Sequence, residues 1–90
     1  MRAQDPLRVV VSAGCAACRR ARELVEAIRR LRPAQPIEVI DLDDRDAEVP
    51  AGVVGTPTFL IGREIVSIGN PCLGLLLDTL DAVESADGPC

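Results

Sequence analysis

A long helical pattern between two short apolar runs constrains the fold of this chain more than any other feature. Leu7–Val11 and residues 37–42 are strand-length runs rich in β-branched side chains. Between them, from about Cys15 to the break at Pro33, apolar residues recur at helical spacing on one face: Ala21, Leu24, Val25, Ile28 and Leu31. A helix that connects two neighbouring strands of one sheet makes those strands parallel. The first half of the chain therefore predicts a β-α-β unit.

The next part of the sequence predicts a β-hairpin. Thr58–Ile61 and Glu64–Ile68 are two further strand-length runs, separated by Gly62 and Arg63. A glycine at the first of two central positions is typical of a type II′ turn. Between the second strand and this hairpin, the acidic stretch 43–52 predicts a loop or a single helical turn.

A second helix closes the predicted fold. Asn70 and Pro71 predict an N-cap and a first helical position, and the inner face of the helix holds Leu73, Leu76, Leu80 and Val83. The order β-α-β-β-β-α then predicts an α/β fold, a mixed four-stranded sheet with helices on its faces.

Length and composition limit the number of domains and the kinds of partner. A chain of 90 residues makes a single domain, with a core over about 7–83 and a flexible tail over 84–90. No apolar run is long enough to cross a bilayer, and the N-terminal sequence lacks the apolar segment of a signal peptide. We therefore expect a cytoplasmic protein, monomeric and without a membrane partner. The net charge of −4 argues against a nucleic-acid partner.

Two cysteines separated by two alanines lie at the predicted start of the first helix. Cys15 and Cys18 would lie within disulfide reach across the first turn. The free N–H groups and the dipole at a helix N-terminus stabilise a thiolate, which lowers the pKa of the first cysteine. Because the chain has no histidine, Cys-His catalytic pairs and His-ligated zinc are excluded. The pattern predicts Cys15 as the nucleophile and Cys18 as the resolving thiol of thiol-disulfide exchange.

The same two thiolates also suit a soft metal ion, so a carrier of Cu(I), mercury or arsenic is the alternative function. Trafficking domains of heavy-metal ATPases carry a similar Cys-Ala-Ala-Cys, with Met and Thr before the first cysteine. Residues 12–14 are Ser-Ala-Gly here, which does not match. Those domains also end on a strand, whereas this chain is predicted to end on a helix.

The segment VVGTPTFLIG, residues 53–62, resembles the cis-proline loop of the thioredoxin superfamily, and the resemblance extends over residues 7–83. It implies a cis Pro57 lying against the two sulfurs, and a Thr56 backbone free to pair with an extended substrate segment. It further implies that Gly69 allows close approach of substrate or glutathione. The implied partners are a disulfide-containing protein substrate and a reductase or small thiol, and no cofactor is expected.

The sequence departs from the thioredoxin pattern at several positions. Gly14 stands where thioredoxins have tryptophan, Val9 where they have a buried aspartate, and Val39 where they have lysine. Without that aspartate, water or substrate must take the proton of Cys18. The glutaredoxin pattern also differs, at Ser12 and over residues 69–72. General thiol-disulfide exchange is the activity that these residues leave in place.

Two further cysteines and an arginine run admit more than one interpretation. Cys72, at the start of the last helix, is either a third redox thiol or a small core residue. Cys90, at the terminus, is either an exposed thiol or inert. The arginines between Cys15 and Arg32 form either a solvated helix face or a surface for acidic partners. A thioredoxin-like scaffold without catalysis is disfavoured, because both cysteines are present at the required spacing.

Overall fold

The computed structural model describes residues 5–80 of the chain. The elements follow the predicted order: β1 (Leu7–Val11), α1 (Ala16–Leu31), β2 (Ile37–Asp41), β3 (Thr58–Ile61), β4 (Glu64–Ile68) and α2 (Leu73–Leu80). The stretch between β2 and β3, residues 42–57, is the β2–β3 loop and contains turns but no helix. Val83, Cys90 and the predicted tail over 84–90 lie outside the described residues.

The four strands form one mixed sheet in the order β2-β1-β3-β4. β1 pairs in parallel with β2, as the helical crossover predicts, with Val9 opposite Val39. β3 runs antiparallel to both β1 and β4, and its pairing with β4 shifts register between Phe59 and Leu60. Thr58, the first residue of β3, follows Pro57 directly and pairs with Val10 near the C-terminal end of β1. The sheet therefore places residues 56–57 beside the end of β1 that leads into α1.

Both helices pack on the same face of the sheet. Residues of β1 and β3 that point to this face alternate along each strand, as Leu7, Val9 and Phe59 show, and each is fully buried. The other members of this cluster come mainly from the helices and include Ala21, Leu24, Val25, Ile28, Leu76 and Leu80. Burial of these aliphatic side chains is the main source of stability for a core with a single aromatic residue.

The opposite face is covered by the β2–β3 loop. Val10, Ile40 and Leu60 form a smaller buried cluster there, against which Ala47 and Val53 of the loop pack. The expectation of helices on the faces of the sheet was therefore wrong for this face, within residues 5–80. The physical reason is that a few apolar loop side chains suffice to cover a cluster of three residues.

The start of α2 also differs from the prediction. The helix begins at Leu73, and the sulfur of Cys72 accepts a hydrogen bond from the backbone N–H of Leu75 at 3.4 Å. Cys72 thus takes the capping place expected of Asn70. The side chain of Asn70 bonds elsewhere, to the turn that carries the paired cysteines. In the described part of the chain, neither helix is long and apolar enough to cross a membrane.

Candidate thiol site

Cys15 and Cys18 form a disulfide across the first turn of α1, with their Cα atoms 5.2 Å apart. β1 ends at Val11, and the chain turns through Gly14, whose φ of +71° suits glycine. Cys15 is the N-cap, in an extended conformation, and α1 starts at the next residue. The local sequence therefore sets the pair at the N-terminal end of α1, as predicted.

The two sulfurs have different surroundings. Cys15 is half-buried, whereas Cys18 is only 3% exposed and belongs to the core cluster between sheet and helices. The Cys15 sulfur accepts a hydrogen bond from the backbone N–H of Cys18 at 3.1 Å. The first turn of α1 has no acidic residue that would oppose an anion there. This asymmetry gives the outer sulfur the access and stabilisation that a nucleophile needs.

The loop before β3 is tied to the loop before the cysteines. The peptide bond between Thr56 and Pro57 is cis, as the resemblance implies, and Pro57 is buried. The Ser12 and Thr56 hydroxyl oxygens lie 2.7 Å apart in a hydrogen bond. The Thr58 hydroxyl, which is fully buried, donates to the carbonyl of Gly55 at 2.6 Å. These bonds fix the position of residues 55–58 beside the start of α1.

The connection between β4 and α2 completes the site. The N–H of Gly69 donates to the carbonyl of Pro57 at 2.8 Å, and Gly69 has a φ of +93°. The side-chain amide of Asn70 donates to the carbonyl of Ala17 at 3.0 Å. Sequence reasoning missed this contact. The structure thus joins three predicted segments, those of Cys15–Cys18, Thr56-Pro57 and Gly69, through hydrogen bonds.

Cys72 stands apart from this pair. It is half-buried, and its sulfur does not bond to either cysteine of the pair. Its sulfur caps α2. The prediction of a third redox thiol stays untested, and the structure gives Cys72 a local role at the helix start.

Charged groups lie around the site and are absent from its buried side among the described residues. Val9, where a thioredoxin has its buried carboxylate, is fully buried among apolar residues. Asp43 contributes a carboxylate oxygen 2.5 Å from the N–H of Ala13, on the exposed loop before the cysteines. Arg19 and Arg20 follow Cys18 on the exposed side of α1. Among residues 5–80 no group of three or more metal-ligating side chains comes together.

No family model matches this chain, and no curated protein matches it. The fold and the site together define a small α/β protein with a paired-cysteine site at a helix N-terminus.

Proposed function

We propose that this protein is a cytoplasmic thiol-disulfide oxidoreductase with a thioredoxin-like fold. The single observation that supports the proposal most directly is the asymmetric pair itself, a half-buried Cys15 at the N-cap of α1 bonded to a core-facing Cys18. A helix N-terminus lowers the pKa of a thiol, and the thiolate is the species that attacks disulfides.

The exchange begins from the reduced pair. The Cys15 thiolate attacks one sulfur of a substrate disulfide, forming a mixed disulfide and releasing the other substrate sulfur as a thiolate. Cys18, deprotonated by water or by that leaving thiolate, attacks the Cys15 sulfur. The Cys15–Cys18 disulfide forms and the substrate leaves as a dithiol. A reductase or a small thiol then returns the two electrons, since no cofactor is invoked.

The surroundings of the pair favour an extended protein segment as the substrate. Val54 and Ile68, next to the Thr56-Pro57 and Gly69 segments, are 84% and 66% exposed. Exposed apolar side chains of this size favour contact with apolar residues of a partner. The backbone of Thr56 is proposed to pair with the segment that carries the substrate disulfide, in the manner of an added strand.

Reduction of insulin tests the proposal. We expect turnover with wild type and dithiothreitol, no turnover with Cys15→Ser, and a covalent adduct on Cys15, seen by mass spectrometry, with Cys18→Ser. The Cys72→Ser variant, measured alongside, is expected to keep its turnover because the exchange needs only two thiols.

Two outcomes would contradict the assignment. A wild type that reduces no disulfide, but binds Cu(I) tightly and loses it on either Cys15→Ser or Cys18→Ser, would assign the pair to metal binding. Turnover that survives Cys15→Ser would move the nucleophile to another cysteine.

A further inference from the structure

One peptide group, between Ala17 and Cys18, makes hydrogen bonds at both of its ends within the site. Its N–H, on Cys18, is shared between two acceptors of Cys15, the sulfur at 3.1 Å and the backbone carbonyl at 3.1 Å. Its carbonyl, on Ala17, accepts from the side-chain amide of Asn70 at 3.0 Å. A continuous chain of donors therefore runs from Asn70 through this peptide group to the sulfur of the proposed nucleophile.

Hydrogen bonds in series polarise one another. A donor to the carbonyl of a peptide group therefore strengthens the hydrogen bond that the N–H of the same peptide group donates. The effect grows when the final acceptor is charged, because a hydrogen bond to an anion is about twice as strong as a neutral one. The hydrogen bond from the Cys18 N–H therefore stabilises a Cys15 thiolate more than it stabilises a neutral disulfide sulfur. The contact of Asn70 thus favours the reduced, ionised state of Cys15 over the oxidised state.

We propose that Asn70 is a positioning residue that stabilises the Cys15 thiolate through the Ala17–Cys18 peptide group. The inference rests on the proposed thiol-disulfide exchange and adds to it a residue outside the two cysteines. Asn70 does not cap α2, because the Cys72 sulfur accepts the capping bond there.

The local backbone holds Asn70 in this position. Gly69, immediately before it, is bonded through its N–H to the carbonyl of Pro57. The charged groups around the same turn are Asp43, bonded to the N–H of Ala13, and the exposed Arg19 and Arg20. Within residues 5–80, none of these charged groups makes a hydrogen bond to the Ala17–Cys18 peptide group. Because Asn70 is itself uncharged, its replacement removes the hydrogen bond to the Ala17 carbonyl and leaves the charges around the site unchanged.

The test compares Asn70→Ala with Ser67→Ala. Ser67 lies near the same connection and its hydroxyl donates to the carbonyl of Gly69 at 2.9 Å, but within residues 5–80 it makes no hydrogen bond to the Ala17–Cys18 peptide group. In reduced protein at neutral pH, iodoacetamide should modify Cys15 about twofold more slowly in Asn70→Ala than in wild type. The Ser67→Ala variant should react at the wild-type rate, with the site of modification read by mass spectrometry.

The second readout is the equilibrium with glutathione. Because Asn70 favours the reduced state, Asn70→Ala should shift the Cys15–Cys18 equilibrium about twofold toward the disulfide, a fall in reduction potential of about 9 mV for two electrons. A variant that merely loosens the fold would not move both readouts in this direction. Wild-type values for rate and equilibrium in Asn70→Ala would overturn the proposal.

Nuclear magnetic resonance of the wild type gives a test that needs no variant to fold. Asn70 is the only asparagine, and Gln4 and Gln35 are the only glutamines, so three side-chain amide groups give signals. The Asn70 amide should shift on reduction of the Cys15–Cys18 pair, together with the backbone N–H of Cys18. An Asn70 signal that is insensitive to reduction would overturn the proposal. Failure of wild type to exchange with glutathione would instead contradict the proposed function, while the alkylation rates still test Asn70.

Discussion

Two glycines with positive φ angles lie at opposite ends of the β3–β4 hairpin. Gly69 follows β4 beside Pro57 and has a φ of +93°, whereas Gly62 lies in the turn and has a φ of +62°. Within residues 5–80, an added Cβ at Gly69 would meet no atom within 4 Å apart from its chain neighbours, and the nearest contacts of one at Gly62 would be with the Asp5 side chain, at 3.7 Å. A methyl group at either position is therefore opposed by backbone strain and not by a clash.

Gly69→Ala is accordingly predicted to separate stability from substrate access. Both Gly69→Ala and Gly62→Ala should lower the free energy of unfolding by about 1–2 kcal/mol, the cost of a side chain at positive φ. Only Gly69→Ala should slow the reduction of a protein disulfide, because its methyl group projects into open space beside the proposed substrate segment. Insulin reduction and urea unfolding followed by circular dichroism measure the two effects.

Equal slowing in both glycine variants would show that strain alone is responsible. If both variants reduce insulin at the wild-type rate, the substrate does not approach Gly69. Reduction of a small disulfide by the same variants provides a comparison in which a bulky substrate is absent.

The cysteine pair lies where its spacing predicts, whereas Asn70 does not cap α2 as its local sequence predicts. Spacing alone places Cys15 and Cys18 on one turn, because a helix geometry follows from local bonds. Asn70 before Pro71 has the local signature of a cap, and only its neighbour across the fold, Ala17, explains its actual contact. A hydrogen bond between residues 53 positions apart leaves no periodic trace in a sequence.

Among the elements, α1 shows which of its interactions hold it in place. Its buried face inserts five residues into the core, Cys18, Ala21, Leu24, Val25 and Ile28. Its outer face carries ion pairs at i,i+3 spacing, Arg20 with Glu23 and Arg29 with Glu26, whose side chains are at least half exposed. Exposed pairs contribute little, because water and salt screen them and the side chains lose freedom.

We predict a large difference between two substitutions on opposite faces of α1. Leu24 is 1% exposed. Leu24→Ala should lower the free energy of unfolding by about 2–5 kcal/mol, because it leaves a cavity in the core. Glu26→Gln, which removes the partner of Arg29, should cost no more than about 0.5 kcal/mol. Because the chain has no tryptophan or tyrosine, urea unfolding is best followed by circular dichroism. Comparable losses in the two variants would contradict this account of the helix.

The strands were predicted more accurately than the covering of the sheet. β1, β3 and β4 begin and end at the predicted residues, and β2 ends at Asp41, one residue before the expected end. Runs of β-branched residues carry that information locally. The β2–β3 loop covers one face of the sheet through isolated side chains such as Ala47 and Val53. Single apolar residues in an acidic, proline-containing loop give no periodicity from which such packing could be predicted.

For the molecule as a whole, charge is distributed unevenly although the net value is only −4. Three arginines of α1 have carboxylates within 4 Å: Arg20, Arg22 and Arg29. Arg19 and Arg30 have no such partner in residues 5–80 and are both exposed. The arginine run is thus in large part a solvated, internally paired face, and its unbalanced positive charge lies at Arg19 near the cysteines and at Arg30 near the far end.

The position of these two arginines gives a prediction about partners. They are separated by about 16 Å along the helix axis, whereas charges are screened over about 8 Å at physiological salt. If acidic partners bind beside the cysteines, Arg19→Gln should slow the reduction of an acidic disulfide peptide about twofold at low salt. Arg30→Gln should leave the rate unchanged, and the difference should vanish at high salt. A rate that does not depend on ionic strength, or equal losses of rate in both variants, would show that Arg19 does not attract acidic partners to the cysteines. Partner choice would then depend on the exposed apolar side chains of Val54 and Ile68.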